Sequence, residues 1–251
     1  MRRFIPFLCA GVLIASVYAQ PPLHVAAAAD LQPLLPPILR EFQQRSGIRA
    51  DATYKDSAML TTQILNGAPF DLFLAADLGY PRRLIAAGAA RPSTPVTYAR
   101  GTLVLWERNG SQLPPPSLAL LRNPNLKRLA IADPRRAPYG KAAVATLESL
   151  HLYGALKLRL VLAENIAQAA QFADSANAEA GLISLTSALT PQLEASGTYF
   201  VIPRKLYPPI EQGAVIVKNT HQHTATQELL DFLLSPPIQA QLAKGGLAPV
   251  H

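Results

Sequence analysis

The sequence predicts an α/β protein of two lobes, each a mostly parallel sheet flanked by helices, and three observations carry the prediction. Short apolar runs alternate with helical stretches; the alternation breaks near 97–101 and then restarts; and the chain closes with two helical segments that no strand follows. A closing helical pair fits a chain that returns to complete the lobe it began. The lobes are therefore expected at residues 20–100 together with 204–251, and at 101–203, with crossovers near 97–101 and 203–207.

The first 19 residues stand apart. Met1-Arg2-Arg3, an apolar run from Phe4 to Val17 and the small-residue site Val17-Tyr18-Ala19 before Gln20 form a secretory signal peptide, expected to be cut after Ala19. Export to the periplasm follows, and no later apolar run is long enough to span a bilayer, so the exported chain is expected to be soluble. Cys9, the only cysteine, lies in this leader, which leaves the exported chain no disulfide, thiolate nucleophile or cysteine metal ligand. The length of 251 residues and 49% hydrophobic content suffice for one large or two modest domains. The formal charge of +7 falls to +5 once Arg2 and Arg3 leave. Its basic residues come as scattered pairs, Arg82-Arg83, Lys127-Arg128, Arg135-Arg136 and Arg204-Lys205, which suits solvated faces and steering of a small anion but not a nucleic-acid surface.

The elements follow in order. Residues 25–29 read as an apolar strand that runs into a helix at Asp30 or Leu31. Leu34, Leu35, Ile38, Leu39 and Phe42 then recur at helical spacing up to Ser46-Gly47, with Pro36-Pro37 predicting a kink or restart. A strand at 49–54 leads through Lys55-Asp56 to Ser57, placed to cap a helix that ends at Asn66-Gly67. A strand at 71–75, a cap at Asp77 and a helix over 80–88 complete the first alternation, and residues 91–95 break it. The second runs through strands at 102–106 and 129–132, a loop at 133–140, a helix at 141–150, a strand at 158–162, a helix at 165–174 and a strand at 181–185. Strands at 199–203 and 213–217 and helices at 226–234 and 237–244 close the chain.

A strand that ends where a helix begins leaves the first backbone N–H groups of that helix unpaired and partly positive, which makes a site for an anion. In α/β sheets ligands gather at the carboxyl ends of strands, where Asp30, Ser57 and Asp77 fall. From the local sequence alone the Ser57 hydroxyl is expected to cap its helix, with a ligand-facing role as the alternative. Two such lobes in an exported, anion-directed chain describe a hinged periplasmic binding protein of type II-like architecture, with its ligand in the interlobe cleft.

The chain resembles the periplasmic molybdate-binding proteins that deliver oxyanion to an ABC transporter. The resemblance lies in Ala27-Ala28-Ala29-Asp30-Leu31, in Gln63-Ile64 with Gly67 to Asp77, in Ile131-Ala132-Asp133-Pro134 with Ala137-Pro138-Tyr139-Gly140, in Glu164 to Phe172, and in Gly181 to Leu185. It implies a tetrahedral molybdate or tungstate dianion held without a counter-cation or cofactor by hydroxyl and backbone donors, and an inner-membrane permease as partner. Carried over by motif, the donors would be the Asp30 backbone with Ala29 beside it, the Ser57 hydroxyl and N–H, and the Tyr139 and Ile166 backbones. Ser184 stands where some members carry a tyrosine that reaches the anion, and its shorter side chain is a weaker candidate. A monomer is expected.

Two departures stand out. Members of that family commonly have serine or another small neutral residue in place of Asp30, and a serine-rich turn in place of Lys55-Asp56-Ser57-Ala58. A carboxylate pointed at a dianion would repel it by several kcal/mol in a dry cleft. Asp30 must turn away to cap its own helix, stay protonated, or accept a hydrogen bond from a protonated anion. Capping is the expectation, and it predicts that Asp30→Asn leaves affinity within a few-fold. A different oxyanion of sulfate, phosphate or chromate type is the alternative ligand. An exported hydrolase using Ser57 is the alternative of another class, but Ser57 lacks the flanking glycines of a nucleophile elbow. His221 and His223 make a solvated pair without a third ligand nearby, so no metal cation is expected.

Overall fold

A computed structural model of the chain describes residues 21–249, so the leader expected at residues 1–19 lies outside the described residues. In chain order the strands are β1 (Leu23–Ala28), β2 (Ala50–Lys55), β3 (Leu72–Ala75), β4 (Ala90–Gly101), β5 (Leu103–Arg108), β6 (Leu129–Ala132), β7 (Leu160–Ala163), β8 (Ala180–Ser184), β9 (Gly197–Val201) and β10 (Ile210–Val217). The helices are α1 (Leu35–Ser46), α2 (Ser57–Leu65), α3 (Gly79–Ala86), α4 (Pro138–Ser149), α5 (Tyr153–Leu156), α6 (Ile166–Asp174), α7 (Leu185–Ala188), α8 (Pro191–Ser196), α9 (His223–Leu234) and α10 (Pro236–Lys244).

These strands form two five-stranded sheets, ordered β2-β1-β3-β10-β4 and β7-β6-β8-β5-β9. Each sheet has a parallel half, β2-β1-β3 and β7-β6-β8, and an antiparallel half, β3-β10-β4 and β8-β5-β9. The sheets are thus mixed where the sequence suggests mostly parallel pairing. The parallel halves are the βαβ alternation visible in the sequence, whereas the antiparallel halves come from strands at the two crossovers, which need no intervening helix to pair.

Residues 91–95, expected to interrupt the pattern, lie inside β4. Proline is tolerated there because β4 is an edge strand, and register shifts against β10 at Gln212/Gly213 and Ala214/Ile216 absorb the irregularity. The Pro36-Pro37 pair does not kink a helix: α1 starts at Leu35, which puts both prolines in its first turn, where N–H groups have no intrahelical partner anyway. The preceding residues Ala29–Leu31 form a separate 3-10 turn.

The period-two alternation of the strands explains the layers. In β1, Val25 and Ala27 face a core with Leu35, Ile38 and Phe42 of α1 and Leu229 and Leu233 of α9, while Ala26 faces the opposite side with Leu60 and Ile64 of α2. β3 divides likewise, Leu72 and Leu74 to the first core and Phe73 and Ala75 to the second. The second sheet has its own core around Trp106, Leu105, Ile131, Ala169 and Leu182. Gly140 lets α4 dock on the end of β6, because a Cβ there would overlap the Ala132 carbonyl.

Candidate functional site

The carboxyl ends of β1, β2, β3 and β6 point toward one small cavity where the two sheets meet. It is lined by Ala28, Ala29, Asp30, Lys55, Asp56, Ser57 and Ala76 from the first sheet's side, and by Ala137, Pro138, Tyr139, Asn165 and Ile166 from the second. The cavity is narrow, far too small for a sugar or a peptide. Asp30, Ser57, Tyr139, Ile166 and Ala29 therefore share one wall system. Ser184 is not part of it: its buried hydroxyl caps α7, accepting from the Ser187 N–H at 3.2 Å and from the Thr186 hydroxyl at 2.9 Å.

Three helices present their first turns here, and each is started by its sequence. Asp56, not Ser57, caps α2, accepting from the Met59 N–H at 2.8 Å. That correction matters chemically. Ser57 sits one residue inside the helix, and its Oγ accepts the Ala76 N–H at 3.1 Å, so the hydroxyl proton remains to be donated elsewhere. Asn165 caps α6 by accepting from the Gln168 N–H at 3.0 Å. The helix α4 begins at Pro138, inside the loop expected over 133–140 and ahead of the helix expected from 141, so Tyr139 lies in its first turn. The N–H groups of Ser57, Tyr139 and Ile166 thus have no intrahelical partner, and all three residues line the cavity. Upstream of α4, Asp133 shapes the loop by accepting from the Arg135 N–H at 3.0 Å, and the Arg135 guanidinium holds its carboxyl below the usual range.

Asp30 does not cap its own turn, in contrast to the expectation. It is fully buried, and its Oδ2 accepts from the Tyr139 hydroxyl at 3.0 Å and from the Gln212 side-chain amide. Its Oδ1 has no partner among the described residues. Burial pushes the carboxyl up to about 6, against the opposing pull of Gln212, Tyr139 and its own backbone N–H. Burial also raises the Tyr139 phenol well above its ordinary value, and the Asp30 charge adds to this. Gly101 makes room for that phenol, since a Cβ there would overlap its hydroxyl.

The rim of the cavity is clasped across the two sheets. The Arg136 guanidinium lies 2.6 Å from Asp56 Oδ2 and 3.9 Å from Glu164, the Tyr80 hydroxyl donates to the Arg136 carbonyl at 3.0 Å, and Lys141 stands 3.7 Å from Asp77 and 5.2 Å from the centre of the Tyr80 ring. The Arg135-Arg136 pair is split: Arg135 lies on a solvated face, as expected, and pairs with Asp133, while Arg136 is drawn into the clasp. Gln212 and the Arg136–Asp56 pair escape sequence reasoning. The one local hint is a glutamine inside the apolar run of β10.

Two mixed sheets joined by paired crossovers, with an ion-sized cavity between them walled by helix N-termini, define a two-lobed solute-binding protein. The family model described as bacterial extracellular solute-binding protein matches residues 23–248, and the chain belongs to that family. It is 36% identical over 236 residues to the molybdate-binding protein ModA of Azotobacter vinelandii, covering 94% of this chain and 93% of that one. It is 34% identical over 205 residues to the ModA of Rhodobacter capsulatus, covering 82% and 79%. Among solved structures, the periplasmic molybdate-binding protein of Azotobacter vinelandii superposes with a TM-score of 0.85 at 28% identity, over 91% of this chain and all of that one. The resemblance drawn from short motifs thus extends over nearly the whole chain.

Proposed function

We propose that the protein is a periplasmic binding protein that captures molybdate, and tungstate with it, in the cavity between its lobes and delivers the ion to an ABC permease. The observation that carries the reading is the convergence of three helix first turns and the free Ser57 proton on one ion-sized cavity in a chain 36% identical to a molybdate-binding protein. Directed neutral donors hold a dianion without a buried ion pair that must be desolvated. Each such hydrogen bond to a charged ligand is worth roughly 1.5–3 kcal/mol, enough for tight binding from a half-dozen after the costs of association. Discrimination against the smaller sulfate would rest on cavity size.

On this reading the ligand contacts are the Ser57 hydroxyl and N–H, the backbone N–H groups of Asp30, Tyr139 and Ile166, and Ala29 beside them. The lobes are residues 20–100 with 204–251, and 101–203; the leader is cut after Ala19; the protein acts as a monomer without a cofactor and is not an enzyme. The Ser57 oxygen accepts the Ala76 N–H and no histidine lines the cavity, which argues against a hydrolase. Thermal-shift screening of the exported protein against molybdate, tungstate, sulfate, chromate and phosphate tests the reading by mass action. Molybdate and tungstate are expected to raise the melting temperature. Stabilisation by sulfate or phosphate with none by molybdate or tungstate would overturn it.

A further inference from the structure

We infer that Asp30 is a proton-carrying ligand contact: the oxyanion binds with Asp30 protonated on Oδ1 and donating from it to a ligand oxygen, so that capture by the protein with this carboxyl ionised takes up one proton. The inference rests on the oxyanion reading above and deepens it. Its basis is the unequal occupation of the two carboxyl oxygens. Oδ2 already accepts from the Tyr139 hydroxyl at 3.0 Å and from Gln212 Nε2, so a proton placed there would displace a donor. Oδ1 is buried and has no partner among the described residues, on a residue that lines the same cavity as Ser57 and Ile166. A proton on Oδ1 leaves both existing hydrogen bonds intact, supplies the missing partner, and turns a repulsive carboxylate into a donor.

The surroundings favour this placement. Asp30 faces Tyr139 from α4 and Gln212 from β10, neither of them a cation, and Tyr98 on β4 is another buried titratable group near it. The charges bordering the cavity are Lys55 at the end of β2 and Asp56 at the start of α2. Asp56 is bound to Arg136, which also has Glu164 at 3.9 Å, so that guanidinium is engaged away from Asp30. Burial already lifts the empty-site carboxyl to about 6, and a dianion alongside would lift it further. Above that pH the free protein must take up a proton to bind, and affinity falls by up to tenfold per pH unit; below it, affinity levels off.

Calorimetric titration with sodium molybdate tests this, using the exported wild-type protein and Asp30→Asn at pH 5.5, 7 and 8, with each pH repeated in two buffers of different ionisation enthalpy. The wild type is expected to take up about one proton per ion at pH 8 and to bind ten- to a hundredfold more weakly there than at pH 5.5. In Asp30→Asn, the amide oxygen can accept from Tyr139 and Gln212 while its NH2 donates to the ion. The variant should bind with no proton uptake, with a flat pH profile, and at least tenfold more tightly than the wild type at pH 8. Molybdate binding by the wild type without buffer-dependent heat and with a flat profile would overturn the role of Asp30 while leaving the oxyanion reading intact. Absence of molybdate binding by both proteins at every pH would instead overturn the oxyanion reading, and this inference with it.

Discussion

At Asp30 the physical conflict of the whole site is concentrated in one carboxyl group. Its backbone stands where an anion is expected, its side chain is fully buried, and two neutral side chains donate to the same one of its oxygens. The energetic consequence shows even without ligand. Because burial raises the folded-state value from the usual 3.8 to about 6, the native state holds this proton more tightly than the unfolded chain does. The resulting stabilisation is complete below pH 3.8, declines as pH rises toward 6, and is absent above, a change of up to about 3 kcal/mol. Denaturant unfolding of the ligand-free wild type and Asp30→Asn between pH 4 and 7 checks the sign. The wild type should lose stability relative to the variant as pH rises to 6, and parallel profiles would show that the carboxyl does not titrate in this range. The sequence reveals that Asp30 is anomalous. It does not reveal Gln212, 182 residues away, which decides where the carboxyl points.

Among the elements, α2, α4 and α6 repeat one device: a strand ends, a cap or proline starts a helix, and a residue of its first turn lines the cavity. Part of the device is legible because its signals are local, Asn165 before the helical run 166–174 and an acid and a serine before 58–65, whereas the sequence places Pro138 in a loop and starts that helix only at 141. Which of Asp56 and Ser57 caps α2 was not legible, since both residue types cap well. The tertiary structure assigns the cap to Asp56, because the Ala76 N–H beyond β3 claims the serine oxygen. This division of labour gives α2 a testable share of binding. Replacing Ser57 by Ala removes one hydroxyl donor and keeps the cap, so the helix should persist while molybdate affinity falls about ten- to a hundredfold by calorimetry. Unchanged affinity would remove the hydroxyl from the site.

For the molecule as a whole, polar contacts between the two sides gather at and beside the cavity, Asp30 with Tyr139, Asp56 with Arg136, Tyr80 with the Arg136 carbonyl and Asp77 with Lys141, and small apolar residues, Ala28, Ala29 and Ala76, pack against the second sheet's core. An interface of this kind is suited to opening and closing, since water can satisfy the exposed partners once they part. Arg136→Ala strips the clasp and leaves the buried Asp56 carboxylate unpaired in the closed form. Small-angle scattering should then show a larger radius of gyration for the ligand-free variant than for the wild type, and saturating molybdate should shrink both. A radius unaffected by the substitution and by ligand would rule out hinge closure as the binding motion.

The sequence by itself determined the fold class, the two alternations of strand and helix, and that a helix follows each strand whose end meets the site, because periodicity, caps and turn residues act within a few neighbours. Only the tertiary structure decided the antiparallel halves of the sheets, the continuation of β4 through residues 91–95, the partners of Arg136 and the environment of Asp30. Each of these depends on groups far apart in the chain, Asp56 with Arg136 and Asp30 with Tyr139 and Gln212, whose pairing is fixed by how the two sheets pack and leaves no local pattern in the residues themselves.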